Sequence, residues 1–338
     1  MNRRKALSLA LGTAVSGVFL WMIFRALPLQ DFLAAVARAD LRWMLAGLAF
    51  FALGYACRIW RWRLMLAQYN ARLSWGRCSV PFMVSIAANN VLPFRAGDVL
   101  RGVGFSAWLG VPTARVLATL LVERLLDLLS LIVALAVALT LFSGADTGVQ
   151  SLLGLSASVF AAAGCAVAFV LLFPRVFEPP ILWLLRALPA RAAGLSQKLQ
   201  TQVRHVFHTL SSLAEPLRMA VMMLWSFLAW TFEACVFFAV ARALPDITAP
   251  VAAWVAMPVG TLSTMLPSTP GYIGTFHYFV LQAAQALGNP EIAAAAFAFL
   301  VHFALFIPAT LWGGTSFVYW IFTRPDERAP LGKVTSTQ

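Results

Sequence analysis

Apolar runs of roughly 20 residues recur along this chain, separated by short basic or Pro/Gly-containing stretches, and no other feature restricts its fold as much. A helix rising 1.5 Å per residue needs about 20 such residues to cross the roughly 30 Å of bilayer hydrocarbon. Charged residues make up only 11% of the chain and hydrophobic ones 61%, whereas a soluble protein needs about 25% charged residues to cover its surface. Much of the surface must therefore face lipid. The expected fold is an all-α polytopic membrane protein, a single integral membrane domain over residues 1–338.

Six spans are read: Ala6–Leu27, Leu41–Cys57, Val116–Phe142, Leu152–Phe173, Arg218–Ala241 and Glu291–Phe322. The first follows Met1-Asn-Arg-Arg-Lys, is too long for an ordinary signal h-region and lacks a clear cleavage site, so it reads as an uncleaved signal anchor. Two further apolar segments do not fit a simple crossing. Pro81–Leu92 is about 12 residues long before the run Asn89-Asn90-Val-Leu-Pro-Phe-Arg-Ala-Gly-Asp98, a length that suits a re-entrant segment. Pro250–Leu287 is broken at Pro258, Gly260 and Pro267–Gly274, and reads as a hairpin of two half-helices rather than two short crossings.

Basic residues number 25 against 13 acidic ones. They lie beside apolar spans, where they retain loops on the cytoplasmic side and attract anionic headgroups, so nucleic acid is not the expected partner. Arg58, Arg61, Arg63, Arg72 and Arg77 are assigned to one connection, and Arg175–Arg218 forms a second basic segment. The positive-inside rule then places both termini in the cytoplasm of a cytoplasmic (inner) membrane. With that orientation the two hairpins enter from opposite faces, between spans two and three and between spans five and six. The units 41–142 and 218–322 form an inverted repeat, joined by 152–215 and followed by the polar tail 323–338, an arrangement used by transporters. Within the connecting unit, Ala192, Leu195, Leu199, Val203, Val206, Leu210 and Leu213 form a stripe at helical spacing. That helix either lies on the membrane surface or packs on the bundle.

Arg95-Ala-Gly-Asp98-Val-Leu-Arg101 opens the second half of the first hairpin. Asp98 is the expected N-cap there, and a half-helix start flanked by Arg95 and Arg101 suits a lipid phosphate. The competing reading has Asp98 neutralising one arginine to hold the turn. Glu123 and Asp127 are four apart and share a helix face while Arg124 points elsewhere, and Arg95 or Arg101 is their expected partner. In the second hairpin Pro267, Pro270, Gly271 and Gly274 enforce non-helical backbone, and Ser268 and Thr269 can satisfy freed polar groups. His277 is read as a proton relay, a headgroup contact or a structural histidine; Glu233 and His302 lie within spans. Cys57, Cys78, Cys165 and Cys235 show no paired spacing, so neither disulfide nor zinc site is expected. No metal, P-loop or dinucleotide motif appears, and no cofactor is expected.

The blocks Pro93–Arg101, Glu123–Asp127 and Pro267–Gly274 resemble, in order, three signature blocks of the lysylphosphatidylglycerol synthase transmembrane family. The resemblance runs from the second span onward. It departs at Asp98, where glutamate is more usual, and at His277, where an acidic residue is common. It implies a flippase-like region translocating a polar-headgroup lipid: an anionic phospholipid, aminoacyl-phosphatidylglycerol, a polyprenyl-linked sugar or a hopanoid. Arg95, Asp98, Arg101, Glu123, Arg124, Asp127 and Pro267–Gly274 would line the path. The soluble aminoacyltransferase domain of two-domain relatives has no counterpart in this chain, so synthase activity is not expected. Two alternatives stand beside transport: a membrane transferase acting on a lipid phosphate with Glu123 or Asp127 as base, and a non-catalytic partner of a lipid-synthesis enzyme. Oligomerisation is compatible with each.

Overall fold

A computed structural model describes Val18, Trp21 and residues 29–92, 95–141, 157–187, 193–213, 215–266 and 269–323. The signal anchor (beyond helical Val18 and Trp21), the tail from 324 onward, Pro93, Phe94, Pro267 and Ser268 lie outside the described residues. All regular structure among those described is helical: α1 Leu29–Ala37, α2 Leu41–Ala67, α3 Trp75–Val91, α4 Ala96–Gly104, α5 Ser106–Leu109, α6 Thr113–Leu141, α7 Ala157–Leu172, α8 Pro174–Arg186, α9 Ala193–Leu213, α10 Pro216–Ala243, α11 Ala253–Ser263, α12 Thr275–Gln285 and α13 Glu291–Thr323, with 3-10 turns at Pro250–Ala252 and Pro270–Tyr272.

Among the described residues four helices, α2, α6, α10 and α13, are long and apolar enough to cross a bilayer, and α7 with α8 makes a fifth if that bent pair counts as one span. The chain turns by 86° between α7 and α8, where Pro174 occupies the first helical position, the place where a missing N–H costs nothing. The fourth span ends at Leu172, one residue short of the expected Phe173, and the start of the basic segment beyond it is helical. The chain continues there as a separate helix in a new direction.

Two corrections concern the first half of the chain. The second span does not end at Cys57 but runs 27 residues to Ala67, so Arg58, Arg61 and Arg63 are helical rather than part of a basic loop. Arg58 and Arg61 are buried, tolerated there because each meets a carboxylate on another helix. The first arm of the first hairpin is likewise longer than the expected 12 residues: α3 has 17 and begins at the Ser74 cap, whose hydroxyl accepts the Arg77 N–H. Pro81 lies inside it without ending it.

Close approach is bought with small residues. Helices α2 and α10 pack against each other more extensively than any other pair among the described residues, and Gly47 and Gly54 of α2 face Ala239 and the Ala229 carbonyl of α10. Helix α13 lies against α3 at Gly313, where an added β-carbon would collide with the Met83 carbonyl oxygen and Ala87. Gly313→Ala should thus lower the unfolding temperature of the purified protein, in line with the roughly 1–3 kcal/mol cost of overpacking. An unchanged melting curve would mean this contact is slack.

Helices α3 and α4 form one hairpin and α11 and α12 a second. Each is pinched by a glycine: Gly97 of α4 sits against Ser85 and Asn89 of α3, and Gly260 of α11 against Val280 and Phe276 of α12. The hairpins touch at their tips, since a β-carbon on Gly271 would lie 3.4 Å from the Asn90 carbonyl oxygen, and Asn90 Nδ2 ties the first tip to α13 by donating to Thr310 Oγ1 at 2.9 Å. Only the second half of the α9 stripe packs on the bundle: Leu210 is buried and Val203 and Val206 are partly buried in a cluster with α6 and α10 residues, with Phe207 beside them. Thr209 and Ser212 bond to Tyr69 and Gln68, whereas Leu195 and Leu199 are exposed.

Candidate functional site

Ionic groups converge from α2, α4, α6 and α10. Arg101 is fully buried between the rings of Trp62 and Phe82, its guanidinium 4.9 and 4.5 Å from their centroids. It grips Glu123 with both terminal nitrogens, Nη2 to Oε1 at 3.1 Å and Nη1 to Oε2 at 3.3 Å. This two-pronged geometry is the strong form of the arginine–carboxylate contact. One helical turn along α6, Asp127 lies 2.8 Å from Arg61 Nη1 and accepts the Trp230 indole N–H at 3.3 Å. Trp230 also carries Arg58 on its ring face at 4.5 Å, and Arg58 reaches Glu233 at 2.6 Å. At the other end Asp98 takes Arg124 Nη2 on both oxygens at 2.8 and 2.9 Å and Asn89 Nδ2 at 3.0 Å, with Arg101 a further 3.8 Å away.

The chain of contacts thus runs Arg124–Asp98–Arg101–Glu123 on one side and Arg61–Asp127–Trp230–Arg58–Glu233 on the other. Four arginines balance four carboxylates. Burying unpaired ions costs several kcal/mol each, which explains the pairing. Even so, the Arg61 Nε and Nη2 and the Arg101 Nε are buried without a protein acceptor.

Several expectations shift here. Glu123 does meet Arg101, but Asp127 meets Arg61 instead of Arg95 or Arg101. Asp98 is not the N-cap of the second arm: Arg95 occupies that position, and Asp98 sits in the first turn of α4, turned to Arg124. A carboxylate in a first helical turn suits the positive end of the helix, so the sequence signal was right in kind and displaced by three residues. Arg124, expected to point elsewhere, turns to Asp98 at the hairpin and so joins the same network. Arg95 is half-buried, and no carboxylate is paired with it among the described residues. Arg58, Arg61 and Trp230 were missed as site residues. Two arginines three apart, inside a helix that stays apolar on both sides of them, were the available signal.

Beside the Arg58–Glu233 pair lies a cavity of about 120 Å³ lined by Tyr55, Asn90, Glu233, Thr261, Tyr272 and His302, together with Gly271. It occupies the meeting point of the two hairpin tips. Two non-glycine residues among those described have left-handed backbone, Arg95 (φ 51°) and Tyr272 (φ 58°), one at each tip. Such geometry costs about 1 kcal/mol or more and persists only where surroundings enforce it.

The second hairpin supplies aromatic and histidine groups. Gly271, Gly274 and Thr269 shape the turn, with Gly271 (φ 74°) and Gly274 (φ 93°) in backbone that favours glycine; Pro270 opens its 3-10 turn, and Pro267 and Ser268 fall outside the described residues. His277 is buried at the third position of α12, and its Nδ1 accepts the Gly274 N–H at 3.1 Å. A carboxylate at that position would accept the same bond, as in a capping box, so histidine here preserves the turn. Its ring stacks on Phe299 at 3.9 Å and meets His302 edge-on at 4.7 Å, and His302 Nε2 bonds the Gly271 carbonyl at 2.8 Å. Among the described residues no cluster of His, Cys, Asp and Glu suits a metal ion.

The family model described as the lysylphosphatidylglycerol synthase TM region matches residues 9–313 of the chain, which takes in every group in this site. No match is found among curated proteins.

Proposed function

Given that this chain belongs to the lysylphosphatidylglycerol synthase transmembrane-region family, multi-pass membrane proteins linked to lipid metabolism, we propose that it carries a polar-headgroup lipid from one leaflet to the other. In this reading both hairpins are re-entrant and enter from opposite faces, as halves of an inverted repeat. The path passes their meeting point, and the protein lies in the cytoplasmic membrane with both termini cytoplasmic.

One observation carries the proposal: buried arginines with donors to spare, in a network whose charges otherwise cancel. Arg61 and Arg101 keep buried N–H groups without a protein acceptor, which a phosphate reaching them would satisfy. The left-handed Arg95 at the start of α4 offers the first uncompensated positive charge to an arriving anion. The family resemblance supplies the candidates: an anionic phospholipid, aminoacyl-phosphatidylglycerol, a polyprenyl-linked sugar or a hopanoid. Transport fits better than group transfer, because Glu123 and Asp127, the bases a transferase would use, are each engaged by a buried arginine.

The test is leaflet transfer of fluorescent phosphatidylglycerol in vesicles holding the purified protein. Protein-containing vesicles should exchange the lipid faster than empty ones. Arg95→Ala should slow that exchange about tenfold, the value of one charge-assisted hydrogen bond of roughly 1.5 kcal/mol, with the melting temperature unchanged. No acceleration by the parent protein with any of several anionic or polyprenyl lipids would refute the reading.

A further inference from the structure

A second cavity, about 380 Å³, lies where α6, α10 and α11 come together. Its floor is buried and apolar, formed by Ala138, Trp230, Ala234 and Met257, and its rim is exposed at Val137 and Trp254. The room exists because alanines stand at 134, 138 and 234, where leucine or phenylalanine would fill the space. Among the described residues no side chain charged at neutral pH lines it.

The geometry points to this groove as the seat of one hydrocarbon chain of the same lipid whose phosphate meets the ionic network. The inference rests on the transport reading and adds to it a place for the tail. Trp230 is the shared wall: its ring floors the groove while supporting the Arg58 guanidinium at 4.5 Å, and its N–H bonds Asp127 at 3.3 Å. The two cavities also follow one another along α11, since Met257 belongs to the groove and Thr261, one turn on, to the cavity beside Glu233. A turn of helix is about 5.4 Å. An amphipathic molecule with an anionic head and an alkyl or polyprenyl tail would place its head beside the Arg58–Glu233 pair and its tail in the groove. A tail held in a fitted groove keeps the head in register with the arginines while it changes partners.

Phosphatidylglycerol bearing a photoreactive diazirine on its acyl chain tests this in vesicles containing the full-length protein. Irradiation should concentrate adducts on peptides containing Val137, Trp254 and Met257. Excess unlabelled phosphatidylglycerol should remove them, and excess diacylglycerol, which has the tails without the phosphate, should not. Ala134→Phe, which narrows the groove, should lose these adducts while labelling elsewhere on the lipid-facing surface persists. Val137→Trp, at an exposed rim position that folding tolerates, should do the same and guards against a misfolded first variant. Labelling spread evenly around the helices, or equal competition by diacylglycerol, would overturn the groove as a substrate site. Leaflet transfer measured on the same vesicles separates the two ideas: transfer with even labelling retains transport and loses the groove, whereas groove labelling without transfer retains the groove and loses transport.

Discussion

Arg101→Ala is expected to insert in the membrane, to unfold about 3–5 kcal/mol more readily than the parent, and to move no lipid. The residue is fully buried and holds Glu123 with two contacts. Its removal strands a carboxylate that is 2% exposed, and Asp98 loses its second cation. The stability loss alone would follow from any buried pair. The discriminating protein is therefore the double variant Arg101→Met, Glu123→Leu, in which both charges go and apolar groups of similar volume replace them. Such replacements are often neutral for stability. Stability should recover in the double variant and transfer should not. A double variant that is stable and still transports would reduce this pair to scaffolding. Unfolding in detergent, followed by circular dichroism, gives the first quantity and the vesicle assay the second.

Gly97→Ala should be the most damaging single methyl group in the protein. A β-carbon there would collide with the Ser85 carbonyl oxygen and come within 2.9 Å of the Asn89 backbone nitrogen and 2.7 Å of Asn89 Oδ1. Backbone cannot yield as a side-chain tip can, so α4 must move away from α3. That displacement carries off Asp98 and Arg101, the next residues on the same turn, and with them the contacts to Asn89, Arg124 and Glu123. A loss of more than about 3 kcal/mol follows from overpacking combined with broken buried pairs. By contrast, Gly76→Ala meets nothing within 4 Å and should leave the melting temperature where it was. Equal behaviour of the two would mean that the hairpin is not clamped at Gly97.

The sequence made the fold class and the turn between α11 and α12 legible because they depend on local properties, run length and a cluster of proline and glycine. The breaks expected at Pro258 and Gly260, by contrast, fall inside the continuous helix α11. Four of the expected spans correspond to long apolar helices, and Arg101 with Glu123 was within reach because both stand out in apolar surroundings. What escaped depends on helices far apart in sequence. Arg58 reads as a loop cation until Glu233, 175 residues later, is placed beside it. Arg61 likewise needs Asp127 and Ser226 before its burial makes sense. Trp230 looks like one more membrane tryptophan, and only its contacts tie the apolar groove to the ionic network. Asp98 shows the smaller error: the residue was chosen correctly, but the turn begins earlier, because Arg95 takes the left-handed position that glycine usually fills.

The balance of four arginines against four carboxylates has an electrical consequence. So long as the four pairs stay paired and in place, they contribute no moving charge of their own against the transmembrane voltage. The only charge carried across is then the passenger's. For a singly charged anionic lipid the field contributes about 2.3 kcal/mol per 100 mV, enough to bias traffic toward the positive side without any fuel, while a zwitterion would distribute evenly. Direction would be set by the membrane, and the protein would supply only the passage.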